Sequence, residues 1–353
     1  MTSIRFLPDI RIETLDDQSI DIVVNPVNTV GVMGAGVAKA CRQRWPGIMA
    51  PYEKACHDGT LKPGRIQCLR SRDGTVVVNL ASKQHWREAS RYDWVGVGLI
   101  RLSRYIQKRI ARDAGSTTRV LLPLPGAGHG GLEPERILAM ARSYLRPVLD
   151  AGVEIVVPTT PMESRPIPTS YTGIGSRKTP IETGNLMTEI ARDLAEEGWI
   201  LRSGGARGAD TAFANGAPAT LREIYVTATG ENGTDISEIP VKSDAFRDLT
   251  LELHPAPEHL SPYATDLMTR NIAQICGIDC VEPVRCVICW TEGGHGTGGT
   301  GQALRLARSI GIPVIDLGLP GMQDSVARAA PSPGCAIRSL LEDNSEPSTR
   351  PSP

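Results

Sequence analysis

Residues 20–39 read Ile-Asp-Ile-Val-Val-Asn-Pro-Val-Asn-Thr-Val-Gly-Val-Met-Gly-Ala-Gly-Val-Ala-Lys, and residues 120–133 read Val-Leu-Leu-Pro-Leu-Pro-Gly-Ala-Gly-His-Gly-Gly-Leu-Glu. Each is an apolar β-run that breaks into a glycine-rich loop and then opens a helix. Strand, loop and helix in that order confine the chain to an α/β architecture. They also define a chemistry. Glycine lets a backbone approach closely, and a helix N-terminus attracts anions, so two facing loops of this kind can cradle a diphosphate.

The alternation extends along the chain. Strands are expected at 10–13, 20–24, 75–80, 120–124 and 153–157, with helices at 36–44, 93–110 and 133–149. Four prolines between Pro158 and Pro168 preclude helix or central strand and mark a linker at 161–169. Alternation then restarts, with strands at 171–174, 199–203, 222–227, 284–290 and 313–317. Helices are expected at 182–197, 209–216, 262–277 and 301–310. The expected organisation is two α/β domains, 1–160 and 170–341, and a Ser/Pro-rich tail over 342–353 that composition predicts to be disordered. A length of 353 residues suits two domains.

Charge divides the same way. Lys plus Arg against Asp plus Glu is 23 to 16 over residues 1–165, or +7, and 15 to 23 over 166–353, or −8. A basic first half suits a polyanionic partner, although two halves neutralising each other would give the same count. No apolar run approaches the about 20 residues of a membrane span, and residues 1–9 hold no signal-peptide core. The expectation is a cytoplasmic protein whose eight cysteines are free thiols.

Several separated motifs in the first half resemble the macrodomain family of ADP-ribose binders. They are Asn25-x-x-Asn-Thr-Val-Gly-Val-Met-Gly-x-Gly36, Trp45-Pro-Gly47, Tyr52-Glu-Lys-Ala-Cys56, Asn79-Leu-Ala-Ser-Lys-Gln-His-Trp86 and Leu124-Pro-Gly-Ala-Gly-His-Gly-Gly-Leu132. The resemblance is to the branch containing DNA ADP-ribosyl glycohydrolase antitoxins and the terminal ADP-ribose protein glycohydrolase. It implies a mixed sheet between helices and a site for ADP-ribose. Contacts are expected from Val30, Gly31, Val32, Met33, Gly34, Gly36 and Val37 in the first loop. In the second they are expected from Pro125, Gly126, Ala127, Gly128, His129, Gly130, Gly131 and Leu132. Asn28 would orient the distal ribose, while Asn25 is read as structural. Adenine recognition stays open between Thr14, Leu15 and Asp16.

Lys83 follows the apolar run Val76-Val-Val-Asn-Leu80 and so stands at a strand's carboxyl end, where α/β sites lie. The resemblance makes it the catalytic residue. An amine near the anomeric carbon can attack it or hold the opened sugar as a Schiff base, provided burial or neighbouring cations keep it neutral. His85 and Arg87 stand nearby to assist. The protein-directed branch carries an acidic residue where this chain has Gly130, which points to a DNA acceptor. Glu133 is a further acid/base candidate or the cap of its helix.

In the second half, Tyr171-Thr-Gly-Ile-Gly-Ser-Arg177, Ser203-Gly-Gly-Ala-Arg-Gly-Ala-Asp210 and Trp290-Thr-Glu-Gly-Gly-His-Gly-Thr-Gly-Gly-Thr-Gly-Gln302 resemble the SLOG superfamily of Rossmann-like folds. That superfamily includes DNA-processing protein A and the Lonely Guy phosphoribohydrolases. The resemblance implies a parallel sheet with a nucleotide or phosphate ligand at its carboxyl edge. The ligand would be held by Gly175, Ser176, Arg177, Ser203, Gly204, Gly205, Arg207, Asp210, Gly293, Gly294, Gly296, Thr297 and Gly298. The phosphoribohydrolases use Pro-Gly-Gly-x-Gly-Thr-x-x-Glu; here Glu292 replaces the proline and Thr300 the glutamate, so a second hydrolase is disfavoured.

Cys276, Cys280, Cys286 and Cys289 raise the question of zinc. Cys286 and Cys289 point to opposite faces of one strand, so they read as buried small hydrophobes and no metal is expected. No cofactor is implied. The expected partners are ADP-ribose or ADP-ribosylated DNA, a nucleotide at the second domain and an ADP-ribosyltransferase toxin, with no membrane. Two alternatives remain at this point: a non-catalytic sensor of ADP-ribose or a signal nucleotide, and N-glycosidase activity in the second domain.

Overall fold

The computed structural model describes residues 4–15, 20–112, 118–227, 238–329 and 332–343. Its chain divides into two compact units, one of residues 1–167 with 279–282, the other of 168–278 with 283–353.

The first unit carries strands β1 (Ile4–Phe6), β2 (Ile22–Val27), β3 (Ile66–Arg70), β4 (Val76–Ala81), β5 (Arg119–Leu121) and β6 (Glu154–Val157). Helices are α1 (Gly36–Arg44), α2 (Met49–His57), α3 (Tyr92–Ile110), α4 (Pro134–Tyr144) and α5 (Arg146–Asp150). The sheet order is β1-β6-β5-β2-β4-β3, parallel except where β3 meets β4. β2 and β4 are buried along nearly their whole length, as largely aliphatic strands in a helix-covered parallel sheet should be. On one face Val23, Val27, Val77 and Val156 pack against Cys41 of α1 and Tyr52 of α2. Asn25 crosses that apolar sheet in register. Its Nδ2 donates to Asn79 Oδ1 at 2.8 Å, and Asn79 Nδ2 donates to Gln67 Oε1 at 3.0 Å, so three strands share an amide ladder.

The second unit carries β7 (Ser170–Gly175), α6 (Ile181–Glu196), β8 (Ile200–Ser203), α7 (Ala209–Gly216), β9 (Arg222–Val226) and β10 (Glu238–Pro240). Then follow α8 (Asp244–Leu253), α9 (Pro262–Cys276), β11 (Cys286–Trp290), α10 (Gly298–Ser309), β12 (Val314–Asp316), α11 (Met322–Ala327) and α12 (Pro333–Asp343). Its order is β10-β9-β8-β7-β11-β12, parallel throughout. Tyr171, Ile190, Phe213 and Ile288 lie in the core on one face. Two α/β units with mostly parallel sheets are what the alternation of elements implied.

Three local expectations are corrected. The strand expected at 10–13 is instead a single 3-10 turn, Ile12–Thr14, and the edge strand is β1. Ile12 and Leu15 are buried three residues apart while Arg11, Glu13 and Thr14 are exposed, a helical spacing. The helix expected over 133–149 is two helices broken at Leu145, because Pro147 has no N–H to continue the first. β3 was not expected; all its residues are partly exposed, so its alternation is faint. The tail expectation falls, from residue 344 on, outside the described residues, as does Asp16.

Candidate active site

The carboxyl ends of β2 and β4 lead into one cleft of about 1240 Å³. Lys83 reaches it through backbone bonds that prolong the sheet. Ser82 and Lys83 N–H donate to Val27 O at 3.0 and 3.3 Å, and Thr29 N–H donates to Gln84 O at 3.1 Å. Beyond this anchor the half-buried Lys83 ammonium donates to the His129 carbonyl of the opposite loop at 2.5 Å. Partial burial holds its pKa below the ordinary lysine value, because the charged form is poorly solvated.

The first loop is built around Asn28. Its Oδ1 accepts from Val30 and Val32 N–H at 3.1 and 3.2 Å, its Nδ2 donates to Val32 O at 2.6 Å, and the Tyr52 hydroxyl donates to Asn28 O at 2.8 Å. Asn28 is therefore first of all the clamp of its own loop, with one of two Nδ2 hydrogens spent there. The loop ends at the N-terminus of α1. No side chain caps that end and its first turn holds no acid, so backbone amides from Gly36 onward face the cleft and favour an anion.

The second loop closes against the first, with the His129 ring within 3.6 Å of where a Gly36 Cβ would stand. Gly126 has φ +84°, and a Cβ on Gly130 would lie 2.2 Å from Gly126 O and 2.5 Å from Ser90 Oγ. No side chain fits at Gly130, so the acidic residue of the protein-directed branch is sterically excluded from this backbone. Ser90 is itself 5% exposed, lines the cleft, and its hydroxyl has no hydrogen-bond partner among the described residues.

Of the residues expected at this site, Asn28, Val32, Gly34, Gly36, Val37, Lys83, Gly126, Ala127, Gly128, His129 and Gly130 line the cleft. Val30, Gly31, Pro125, Gly131 and Leu132 shape the loops without lining it. Met33 turns into the core, where its sulfur meets Asn25 Nδ2. Leu15 is likewise a core residue and Thr14 is exposed away from the lining. Glu133 is drawn off by Arg165 and Arg136 at 3.1 and 3.4 Å. Arg87, expected to assist Lys83, lines the cleft while His85 does not; Trp86, Ser90, Pro158, Thr159 and Met162 line it as well, although sequence patterning did not mark them as ligand contacts.

In the second unit the three glycine loops meet at the carboxyl edge of the parallel sheet. Ser176 N–H donates to Trp290 O at 3.1 Å, and Gly208 packs on Ser176 O so closely that a Cβ would stand 2.5 Å away. Gly175, Ser176, Gly204, Gly205, Gly293, Gly294, Gly296, Thr297 and Gly298 lie on these loops, with Arg177 and Arg207 exposed beside them. Ser203 is corrected from ligand contact to sheet brace: it is fully buried and its hydroxyl donates to Gly173 O at 2.6 Å. Asp210 is also buried, accepting from Ala206 N–H, and burial pushes its carboxyl up to about 6 against the attraction of Arg270. Arg270 and Gln274, both on α9, were not foreseen. The guanidinium donates to Gly204 O at 2.8 Å, and neither polar atom of the buried Gln274 amide has a partner among the described residues.

Cys276, Cys280, Cys286 and Cys289 are all buried and form no disulfide with one another, and burial pushes the Cys286 thiol up to about 12. Among the described residues no group of three or more His, Cys, Asp or Glu side chains is placed to hold a metal, and no helix is long and apolar enough to cross a membrane.

The first unit thus belongs to the class of α/β units with a glycine-walled cleft at the sheet's carboxyl edge. No family model matches the chain. The DNA ADP-ribosyl glycohydrolase of Thermus aquaticus is 36% identical over 144 residues, 39% of this chain and 37% of that protein. The enzyme of the same name from Mycobacterium tuberculosis is 32% identical over 142 residues, 39% of each. The solved macrodomain of Thermus aquaticus DarG is covered over 99% of its length by 46% of this chain, at 32% identity and a TM-score of 0.37. About two fifths of the chain is therefore similar in sequence to these glycohydrolases, and it spans about two fifths of the length of the curated relatives it matches.

Proposed function

We propose that the first unit, over residues 1–160, is a glycohydrolase that removes ADP-ribose from a modified DNA base. The observation that carries this reading is Lys83: a partly desolvated amine, pinned by strand bonds, bridging two glycine loops in a cleft large enough for a dinucleotide. The similarity to named DNA ADP-ribosyl glycohydrolases supports it. In this mechanism the diphosphate lies at the N-terminus of α1 and Asn28 and Ser90 face the ribose. Neutral Lys83 attacks the anomeric carbon, and the bond to the acceptor breaks as the acceptor takes up a proton. Water then displaces the lysine and releases ADP-ribose. Gly130 supports DNA over protein, because the acid used for a protein acceptor has no room there. The setting proposed is cytoplasmic, opposite a transferase that installs the mark.

For the second unit, over residues 170–341, the resemblance to SLOG domains supports a nucleotide or phosphate ligand on the three loops. Arg177, Arg207 and the buried Arg270 would supply charge-assisted bonds there. Lys83→Ala tests the catalytic reading. Incubated with ADP-ribosylated oligonucleotide, it should release ADP-ribose at least about a hundredfold more slowly than the parent, as loss of a nucleophile does. Parental release rates would sink the mechanism. ADP-ribose binding without turnover by the parent would make the unit a sensor.

A further inference from the structure

Trp86 is one of the few large apolar side chains left in solvent, 48% exposed, and it stands on the lip of the cleft three residues past Lys83. Two planar groups lie against it. The His85 ring stacks on it at 5.3 Å and 28°, and the Arg87 guanidinium lies 4.5 Å from the indole centroid. The layer is pinned by its own turn, in which Arg87 N–H donates to His85 Nδ1 at 3.2 Å and Glu88 N–H to His85 O at 3.1 Å. Arg87 is exposed and has no carboxylate partner among the described residues. The fold therefore leaves an indole and an unneutralised guanidinium side by side in water, next to the amine assigned to the reaction.

We propose that this lip is the acceptor subsite and that it takes an unpaired nucleobase with its phosphate. The base carrying ADP-ribose stacks on Trp86 in place of the Arg87 guanidinium, which turns outward onto the neighbouring phosphate. A nucleobase offers the indole a full π-face, and stacking of this kind outweighs a solvent-exposed cation–π contact. The phosphate gives the displaced arginine a bidentate acceptor. An acidic protein side chain would engage Arg87 but leave the indole bare. A base held in a duplex cannot reach the lip, so the acceptor is single-stranded or flipped out. The +7 charge of residues 1–165 is of the right sign for such a strand.

The subsite rests on the glycohydrolase reading, and affinity measured without turnover separates the two. In the Lys83→Ala protein with both units present, adding Trp86→Ala should weaken binding of an ADP-ribosylated single-stranded oligonucleotide about tenfold or more, and Trp86→Phe should restore most of it. Arg87→Ala should lower the slope of log affinity against log salt by about 0.7, the loss of one phosphate contact to a single strand. Affinity for free ADP-ribose, measured by calorimetry, should fall several-fold less than oligonucleotide affinity in both. Unchanged oligonucleotide affinity in Trp86→Ala overturns the subsite, and so does an equal loss of free ADP-ribose binding. If the parent releases no ADP-ribose yet the Trp86 effect persists, the glycohydrolase reading falls and the nucleobase subsite stands.

Discussion

Removing the Tyr52 hydroxyl tests whether the first glycine loop is held in shape from below. Tyr52 is fully buried on α2, and its hydroxyl donates to Asn28 O at 2.8 Å with Asn28 Oδ1 at 3.1 Å. Tyr52→Phe deletes one oxygen and leaves the ring packing intact. Among the described residues the Asn28 carbonyl then keeps only the weak thiol contact of Cys56 at 3.9 Å. A buried carbonyl deprived of its donor costs about 1–2 kcal/mol. At 1.4 kcal/mol per decade, a loop that must be re-formed on binding should bind ADP-ribose roughly five- to thirtyfold more weakly. The same loss should lower the melting temperature by about 2–8 °C for a unit of this size. Calorimetry with ADP-ribose and a thermal melt of parent and variant read both numbers. A lower melting temperature with parental affinity would refute the reasoning, because the hydroxyl would then support the fold without shaping the loop.

Two pH experiments follow from the titrating groups. Lys83 must be neutral to attack and partial burial lowers its pKa, so kcat should rise with pH and level off below the about 10.4 of a free lysine; a flat profile from pH 6 to 10 removes the amine from the rate-determining step. Asp210 titrates near 6 when folded against 3.8 otherwise, so the folded chain binds an extra proton between those values and loses stability as pH rises through them. Two units correspond to roughly 3 kcal/mol, and Asp210→Asn should gain about that much relative to the parent between pH 4 and 7 in denaturant unfolding. Parallel pH curves for the two proteins would show that Asp210 is not desolvated as the fold implies.

Much of the architecture could be read before any coordinates because its signals are local. The largely aliphatic runs of β2 and β4 declare buried strands, and glycines mark where each strand turns into a helix. Gly36–Arg44 and Ala209–Gly216 needed nothing more. The pattern faltered where a partner far along the chain makes the element. β3 exists because β4 pairs with it, and its half-exposed residues carry a faint period of their own. Residues 10–13 read as strand because Ile10 and Ile12 alternate with Arg11 and Glu13, but core packing took Ile12–Thr14 as a single turn.

The site divides along the same line. Glycine loops and the position of Lys83 after a strand are properties of short segments, since φ, close approach and helix-end amides depend on adjacent residues. Which side chains those loops answer to depends on contacts across many residues. Tyr52 reaches Asn28 across 24 positions, Lys83 reaches the His129 carbonyl across 46, and Arg270 reaches Gly204 across 66. Ser90 became a cleft hydroxyl, Ser203 a brace within the sheet and Glu133 an ion-pair partner for the same reason. Local order was enough to specify an α/β chain with facing glycine loops and a candidate amine. Only packing decided which polar groups that amine meets, because side-chain direction is set by whichever distant element excludes water from it.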